Sequence, residues 1–309
     1  MTDIVLSTYN GEEFLAEQLD SLLNQTDDDW RLLVRDDGSE DRTVEILHEY
    51  AGRFSEKMKI IDGGRSERLG PCGSFGRLLD ESQAEYIAFC DQDDVWMSDK
   101  LKKLLEVVRR EEKHAGAGEK MPIAVYSDME VVDRNMYPIA ESFMLRNALR
   151  HDADCHLPRL LLRNCVTGCA MIFSRKLLER ALPLPETAVM HDWWLALCAA
   201  ACGKIVYMPE KLVKYRQHGG NVYGSGGGWN NAAKFADMPG YSANLAAFSR
   251  QAEVFLERFK KNLDMETAEF AEAFGKLHGS SFFGKRMIIL KHCFPYQSIK
   301  KSIYMLLGA

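Results

Sequence analysis

The chain has 309 residues, 46% hydrophobic, 27% charged and 10% aromatic, which excludes disordered, collagenous and coiled-coil architectures and suffices for one large domain or two modest ones. Thirty-nine Lys and Arg against forty-five Asp and Glu give a formal charge of −6, so no net cationic field attracts nucleic acid and no such partner is expected. No apolar run approaches the ~20 residues that cross a bilayer.

Ile4-Val5-Leu6 is a short apolar run ending at Ser7-Thr8-Tyr9-Asn10-Gly11; Leu15, Leu19 and Leu22 then recur at helical spacing, with Asn10 and Glu13 placed as a capping box. The strand, turn, helix unit recurs at Leu32-Leu33-Val34, Asp36-Asp37-Gly38-Ser39 and Val44, Leu47 and Tyr50. Met58 to Ile61 predicts a third strand, Phe75 to Leu79 a helix, and Tyr86 to Cys90 a fourth strand running into Asp91-Gln92-Asp93-Asp94. Ser98 then caps a helix carrying Leu101, Leu104, Leu105 and Val108. Ala124-Val125-Tyr126 reads as a strand, Val166 to Phe173 as a strand interrupted at Gly168, Asp192 to Cys202 as a helix and Ile205 to Met208 as a strand. Tyr215-Arg216-Gln217-His218 and Asn221 follow, then a glycine-rich run from Gly224 to Gly228 suited to a mobile lid. From Trp229 onward the patterns are helical.

Strands alternating with helices over the first 110 residues predict an α/β fold with a parallel sheet covered by helices on both faces. Ligands gather at the carboxyl ends of such strands, so the three polar turns after the first, second and fourth strands are expected along one edge. The division expected is a catalytic domain over 1–228 and a helical extension over 229–309.

Closely spaced carboxylates repel unless they share a cation, and hard oxygen ligands select Mg2+ or Mn2+; a polar turn that caps the next helix is the plainer reading of Asp91, Asp93 and Asp94. An Asp of the second turn, at Asp36 or Asp37, can accept the imide N–H of a uracil or thymine ring, and Thr8 can donate to the same base. His191-Asp192-Trp193-Trp194 opens a helix, whose dipole holds the Asp192 carboxylate charged and lowers its basicity. With aromatic walls that stack on a sugar, Asp192 suits a general base for a hydroxyl nucleophile. Arg216 and His218 can address phosphate oxygens or a metal. The eight cysteines form no Cys-x-x-Cys pair and the chain opens without a basic, apolar leader, so a reducing cytoplasm is expected. Cys165 with Cys169 and Cys198 with Cys202 share a spacing, but both pairs lie in apolar runs that resemble core rather than a zinc site.

Taken in register, Thr8-Tyr9-Asn10-Gly11, Asp36-Asp37-Gly38-Ser39-Glu40-Asp41, Asp91-Gln92-Asp93-Asp94-Val95-Trp96, Gly168-Cys169-Ala170-Met171 and His191-Asp192-Trp193-Trp194 resemble the family 2 glycosyltransferases over about residues 3 to 222. Phe89 to Trp96 through Lys100-Leu101, with Tyr215-Arg216-Gln217-His218 and Asn221, look most like the rhamnosyltransferase branch of bacterial surface polysaccharide synthesis. The resemblance implies the GT-A fold, a Rossmann-like mixed or parallel sheet sandwiched by helices with a C-terminal helical segment. It implies an inverting, metal-dependent transfer from a nucleotide-diphospho-sugar, dTDP-rhamnose favoured and a UDP-sugar allowed, to a glycan or lipid-linked hydroxyl. Thr8, Tyr9, Asn10, Asp36, Asp37, Asp91 and Arg216 would hold the donor, Asp93, Asp91 and His218 the Mg2+ or Mn2+, and Asp192 would be the base, with Trp193, Trp194 and Asp94 near sugar and acceptor. The Gln-x-x-Arg-Trp motif of processive synthases is absent, which favours single or short additions.

Two alternatives predict different residues. A sugar nucleotidyltransferase needs a glycine-rich basic loop after the first strand, where Glu12 and Glu13 stand instead. A carbohydrate-binding or scaffold protein of the same fold would have lost Asp91, Asp93 and Asp192, all present. No acidic residue follows Glu272, whereas Lys276, Lys285, Arg286, Lys291, Lys300 and Lys301 do, interleaved with apolar side chains from Phe282 to Leu307. Such a tail suits either a segment resting on the anionic inner face of the cytoplasmic membrane or a basic helix pair docked on the acidic domain.

Overall fold

The computed structural model describes residues 1–64, 67–114, 121–219, 238–293 and 306–307. The strands are β1 (Thr2–Thr8), β2 (Trp30–Asp36), β3 (Met58–Ile60), β4 (Tyr86–Cys90), β5 (Val95–Trp96), β6 (Ile123–Val132), β7 (Pro138–Ala140), β8 (Met171–Ser174) and β9 (Lys204–Arg216). The helices are α1 (Leu15–Leu23), α2 (Thr43–Arg53), α3 (Gly70–Glu81), α4 (Lys100–His114), α5 (Phe143–Arg146), α6 (His151–Asp154), α7 (Leu157–Leu162), α8 (Arg175–Ala181), α9 (His191–Cys202), α10 (Met238–Phe259), α11 (Met265–Gly275) and α12 (Phe282–Ile288).

Among the described residues the strands form one mixed sheet in the order β3-β2-β1-β4-β8-β6-β9-β5, with β7 on the flank of β6. The first four are parallel, β8 is antiparallel to both its neighbours, and β6 runs parallel to β9. Parallel strands roofed on both faces need apolar side chains in both directions, which is why Ile4, Val5 and Leu6 all bury completely. Alternation along the strand sends Val5, Leu33, Ile87 and Phe89 into one core layer and Ile4, Leu6, Leu32, Val34 and Ala88 into the other. The first layer continues through Trp193 and Trp194 of α9 into Phe255 and Phe259 of α10 and Phe270 and Phe274 of α11.

Three local expectations change. Asn10 and Glu13 do not cap α1, which starts at Leu15 after an uncapped Phe14. Asn10 instead adopts a positive φ of 46°, its Oδ1 accepts from Glu40 N, and Glu13 pairs with Arg134. The stretch from Val166 is not an interrupted strand: Gly168–Ala170 is a 3-10 turn and the strand begins at Met171. β6 and β9 run well past the polar residues that seemed to end them, with register shifts near Ser127 and Asp128. The glycine-rich run 224–228 and Asn221 lie outside the described residues.

Candidate active site

The carboxyl ends of β1, β2 and β4 bring the three polar turns together at one edge of the sheet, as parallel topology requires. Gln92 locks two of them: its Oε1 accepts from Tyr9 N at 2.8 Å and its Nε2 donates to Tyr9 O at 2.9 Å. Gly11 leaves room for this clamp: a Cβ there would meet Gln92 Oε1 at 2.3 Å and push the amide away from Tyr9. β5 pairs with β9 immediately after the acidic turn, and this brings the end of β9 against it. His218 Nε2 thereby lies 2.6 Å from Asp93 Oδ2, with Phe14 against the imidazole.

A cavity of about 490 Å³ opens here, lined among others by Thr8, Tyr9, Asp37, Arg68, Asp91, Gln92, Asp93, Arg163, His191, Asp192, Trp193 and His218. Its size suits a small-molecule ligand. The C-terminal helices contribute too, because Phe248 of α10 lines it and packs edge-on against Trp193. Trp193 Nε1 is anchored to Leu160 O, so the ring is held as a wall.

The acidic groups are placed where charge is costly. Burial, then the Asp93 and Asp192 carboxylates, push the Asp91 carboxyl up to about 7. Burial likewise raises Asp192 to about 6, outweighing the N–H groups of Gly168 and Trp193 that donate to its two oxygens at 2.9 and 2.6 Å. The helix dipole predicts a weaker base at Asp192; desolvation outweighs it and leaves the carboxylate more basic than an exposed one. His191 beside it stacks on Phe75 with ring centroids 3.9 Å apart, and burial drives its pKa down to about 3, so the imidazole stays neutral. A consequence is testable if Asp192 is the base: log kcat/KM of the free protein should begin to fall below about pH 7, where Asp91 takes up a proton, and steepen below about 6, where Asp192 does. A profile flat down to the onset of unfolding would contradict the assignment.

Several expected residues stand elsewhere. Asp36 is fully buried and saturated: Oδ1 accepts from Thr8 and Ser39 hydroxyls, and Oδ2 from Gly38 N and Ser39 N. Thr8 therefore spends its hydroxyl proton on Asp36 and has none for a base. Asp37 lines the cavity and accepts from Arg35, Leu69 N and Gly70 N, leaving its Oδ2 with acceptor capacity. Asn10 and Asp36 do not line the cavity, nor does Asp94, which is fully buried behind the turn with Oδ1 accepting from Arg216 N. Trp194 faces the core: its Nε1 donates to Ala181 O and its ring meets Phe255 and Phe259. Arg216 is buried behind the acidic turn, donating to Asp93 O, Arg134 O and Glu17 and lying over Phe14. It holds the Asp93 backbone in place and does not line the cavity.

Arg68, Arg163 and Gln92 are among the cavity residues to which the sequence assigns no role. Arg68 stacks on the Tyr9 ring at 4.1 Å and, with Arg163, supplies guanidinium charge to a cavity otherwise dominated by carboxylates. Gln92 enters the sequence motif only as a member of the acidic turn, whereas the structure makes it the clamp on Tyr9. Beneath the turn, Lys100 is completely buried, its Nζ on Cys169 O and over the Trp96 ring, and burial pulls it down to about 7. The cysteines behave as core: Cys165 meets Cys155 rather than Cys169, and Cys202 donates to the Cys198 carbonyl.

The donor set fits a hard divalent cation. Asp91 and Asp93 present carboxylate oxygens to the cavity; Asp94 and Cys169 bring ligand atoms within 4.8 Å of Asp91 from behind the turn, where the buried thiol, soft and held protonated, is no ligand for such an ion. Asp93 with His218 forms a second convergent pair on the cavity wall. Carboxylates that raise one another's pKa are those a cation relieves.

The model of "Glycosyl transferase family 2" matches residues 3–181, more than half the chain. The dTDP-rhamnosyl transferase RfbG of Shigella flexneri is 27% identical over 231 residues, covering 71% of this chain and 74% of that one. Two solved structures share the fold: TarS of S. aureus in complex with UDP-GlcNAc (TM-score 0.58, 16% identity, 99% of this chain and 79% of that one), and the mannosyltransferase PcManGT of Pyrobaculum calidifontis in complex with GDP-Man and Mn2+ (TM-score 0.56, 15% identity, 99% and 85%). The chain spans 64 to 65% of the length of several other curated relatives it matches. The sheet order, the acidic edge and the extent of the family match together place the chain in glycosyl transferase family 2.

Proposed function

We propose that the chain transfers a sugar, with inversion, from a nucleotide-diphospho-sugar to a hydroxyl of a glycan or lipid-linked acceptor in bacterial surface polysaccharide synthesis. The observation carrying this reading is that Asp91, Asp93 and Asp192 line one cavity with Tyr9, Asp37 and Arg68. Asp37, through its spare acceptor capacity, and Tyr9 receive the base, while Arg68 and Arg163 offer charge to the diphosphate. The acceptor hydroxyl attacks the anomeric carbon as its proton passes to Asp192; the bond from that carbon to the phosphate oxygen breaks and the nucleoside diphosphate departs from the opposite face. Neutral His191 and the Trp193 wall keep water from the base.

Asp91, Asp93 and His218 would hold Mg2+ or Mn2+, with Asp94 beneath. Bound there, the ion would neutralise charge developing on the leaving diphosphate. The Mn2+ reported with PcManGT supports this reading, as do the Asp91 and Asp93 carboxylates on one cavity wall. The likeness to RfbG favours dTDP-rhamnose, and TarS with UDP-GlcNAc is the reason to include UDP-sugars in any test. Purified chain with Mn2+ should show a thermal shift with, and slow hydrolysis of, one class among dTDP-, UDP- and GDP-sugars, since stabilisation grows as the logarithm of ligand over Kd. Pyrophosphate release from a nucleoside triphosphate and sugar phosphate would instead identify a nucleotidyltransferase. No shift with any nucleotide or metal would leave a scaffold protein.

A further inference from the structure

The C-terminal helical run has its amphipathicity turned inside out. In α12 and the π-helical turn that continues it, Ile289–Cys293, Phe283, Met287 and Leu290 fall at i, i+4 and i+7, the stripe that a soluble helix buries. Here that stripe faces solvent: Phe283 is 78% exposed, Met287 65% and Leu290 49%, with Phe282 at 60% beside them. The opposite side is the one held down, Ile289 and Cys293 being fully buried in the core that includes α11. Three large apolar side chains in register on one exposed face are a surface awaiting something apolar.

Its flanks say what. Arg286 and Lys291 flank the stripe on the helix, Lys285 lying on its other side, and the chain after Glu272 carries six Lys and Arg and no acid. Arg286 lies over the Phe282 ring at 3.4 Å and donates to Phe282 O, which keeps its charge at the border of the aromatic patch. Phe282 and Phe283 meet edge to face at 5.4 Å, forming a compact wedge. An apolar stripe edged by cations matches a bilayer surface of anionic lipid, where acyl chains take the wedge and headgroups take the charges. A second copy of the chain fits poorly, because a two-fold contact through this face would set its cations against their own copies. The run cannot span the bilayer: twelve helical residues reach about 18 Å, against a hydrocarbon core of about 30 Å. No described helix is long and apolar enough to cross a membrane.

We propose that the Phe282-Phe283-Met287-Leu290 face docks on an anionic bilayer and holds the cavity at the membrane surface, so that the acceptor is lipid-anchored. The face is joined to the cavity by packed elements: the Ile289–Cys293 turn packs on α11, α11 on α7, and Leu162 of α7 lines the cavity. The identity of the acceptor rests on the transferase reading above; the docking itself does not.

The full chain is sedimented with vesicles of phosphatidylglycerol and phosphatidylcholine in equal parts, and with vesicles of phosphatidylcholine alone. Binding to the anionic vesicles should be at least about tenfold tighter and should weaken at high salt as screening shortens. The triple variant Phe283→Ser, Met287→Ser, Leu290→Ser should lose at least about tenfold in that affinity, with an unchanged thermal melt and unchanged hydrolysis of the soluble donor. Equal binding to both vesicle types, absence of binding, or a dimer that the triple variant dissolves would each overturn the proposal. Vesicle binding by a chain that turns over no donor would support the docking and refute the transferase reading; turnover without vesicle binding would do the reverse.

Discussion

Asp192→Asn should lower kcat by about 10²–10⁴-fold, the usual worth of a positioned general base, while the dissociation constant for the donor stays unchanged. The substitution is nearly isosteric: the amide oxygen can still accept from Gly168 N, so the 3-10 turn that supports the site is preserved. What it loses is the ability to take a proton, together with the second oxygen that accepts from Trp193 N. The steepening below about pH 6 should vanish from the residual activity, a change no folding defect imitates. Equal turnover in the variant would remove Asp192 from the chemistry.

Asp93→Asn should lower Mn2+ affinity and reduce turnover on the order of 10²–10³-fold, because several kcal/mol of charge stabilisation on the leaving group depends on the ion. Chelation of the wild-type chain should abolish activity and Mn2+ or Mg2+ should restore it. Asp93 sits on the cavity wall against His218, and its backbone carbonyl is tied to Arg216, so the variant keeps the turn while losing the charge. Isothermal titration with Mn2+ separates metal loss from donor loss. Full activity in chelator would contradict the metal assignment.

Much of this architecture is legible in the sequence, for physical reasons. Strands buried on both faces read as unbroken apolar runs, so β1, β2 and β4 stand out as Ile4-Val5-Leu6, Leu32-Leu33-Val34 and Tyr86 to Cys90. Each ends at a polar turn, and parallel topology then forces those turns to one edge. That rule alone brings Tyr9, Asp37, Asp91 and Asp93 to one cavity. β6 and β9 were read too short because Asp128, Glu210 and Lys211 interrupt the apolar pattern at irregular pairings that the strand absorbs.

What sequence did not disclose is which way individual side chains turn. Trp193 and Trp194 are neighbours in one motif, yet a helix sends consecutive residues about 100° apart, so one walls the cavity and the other fills the core. Arg216 reads as a free cation until Glu17, Asp93 and Arg134 converge on it from distant parts of the chain. Asp36 reads like Asp37 until Thr8, Gly38 and Ser39 occupy its oxygens. The Asn10 and Glu13 spacing fits a capping box, but a positive φ at Asn10 turns the chain toward the loop before α2 and leaves α1 uncapped. In each case long-range partners, absent from local spacing, decide the outcome.

The most direct test of the whole account is a crystal structure of the chain with Mn2+ and an unreactive fluorinated donor analogue of the class selected by turnover. The account predicts the diphosphate and the ion beside Asp91 and Asp93, with the Asp192 carboxylate on the opposite face of the sugar, facing its anomeric carbon. A donor bound elsewhere, or one whose anomeric carbon lies out of reach of a hydroxyl held by Asp192, would contradict it.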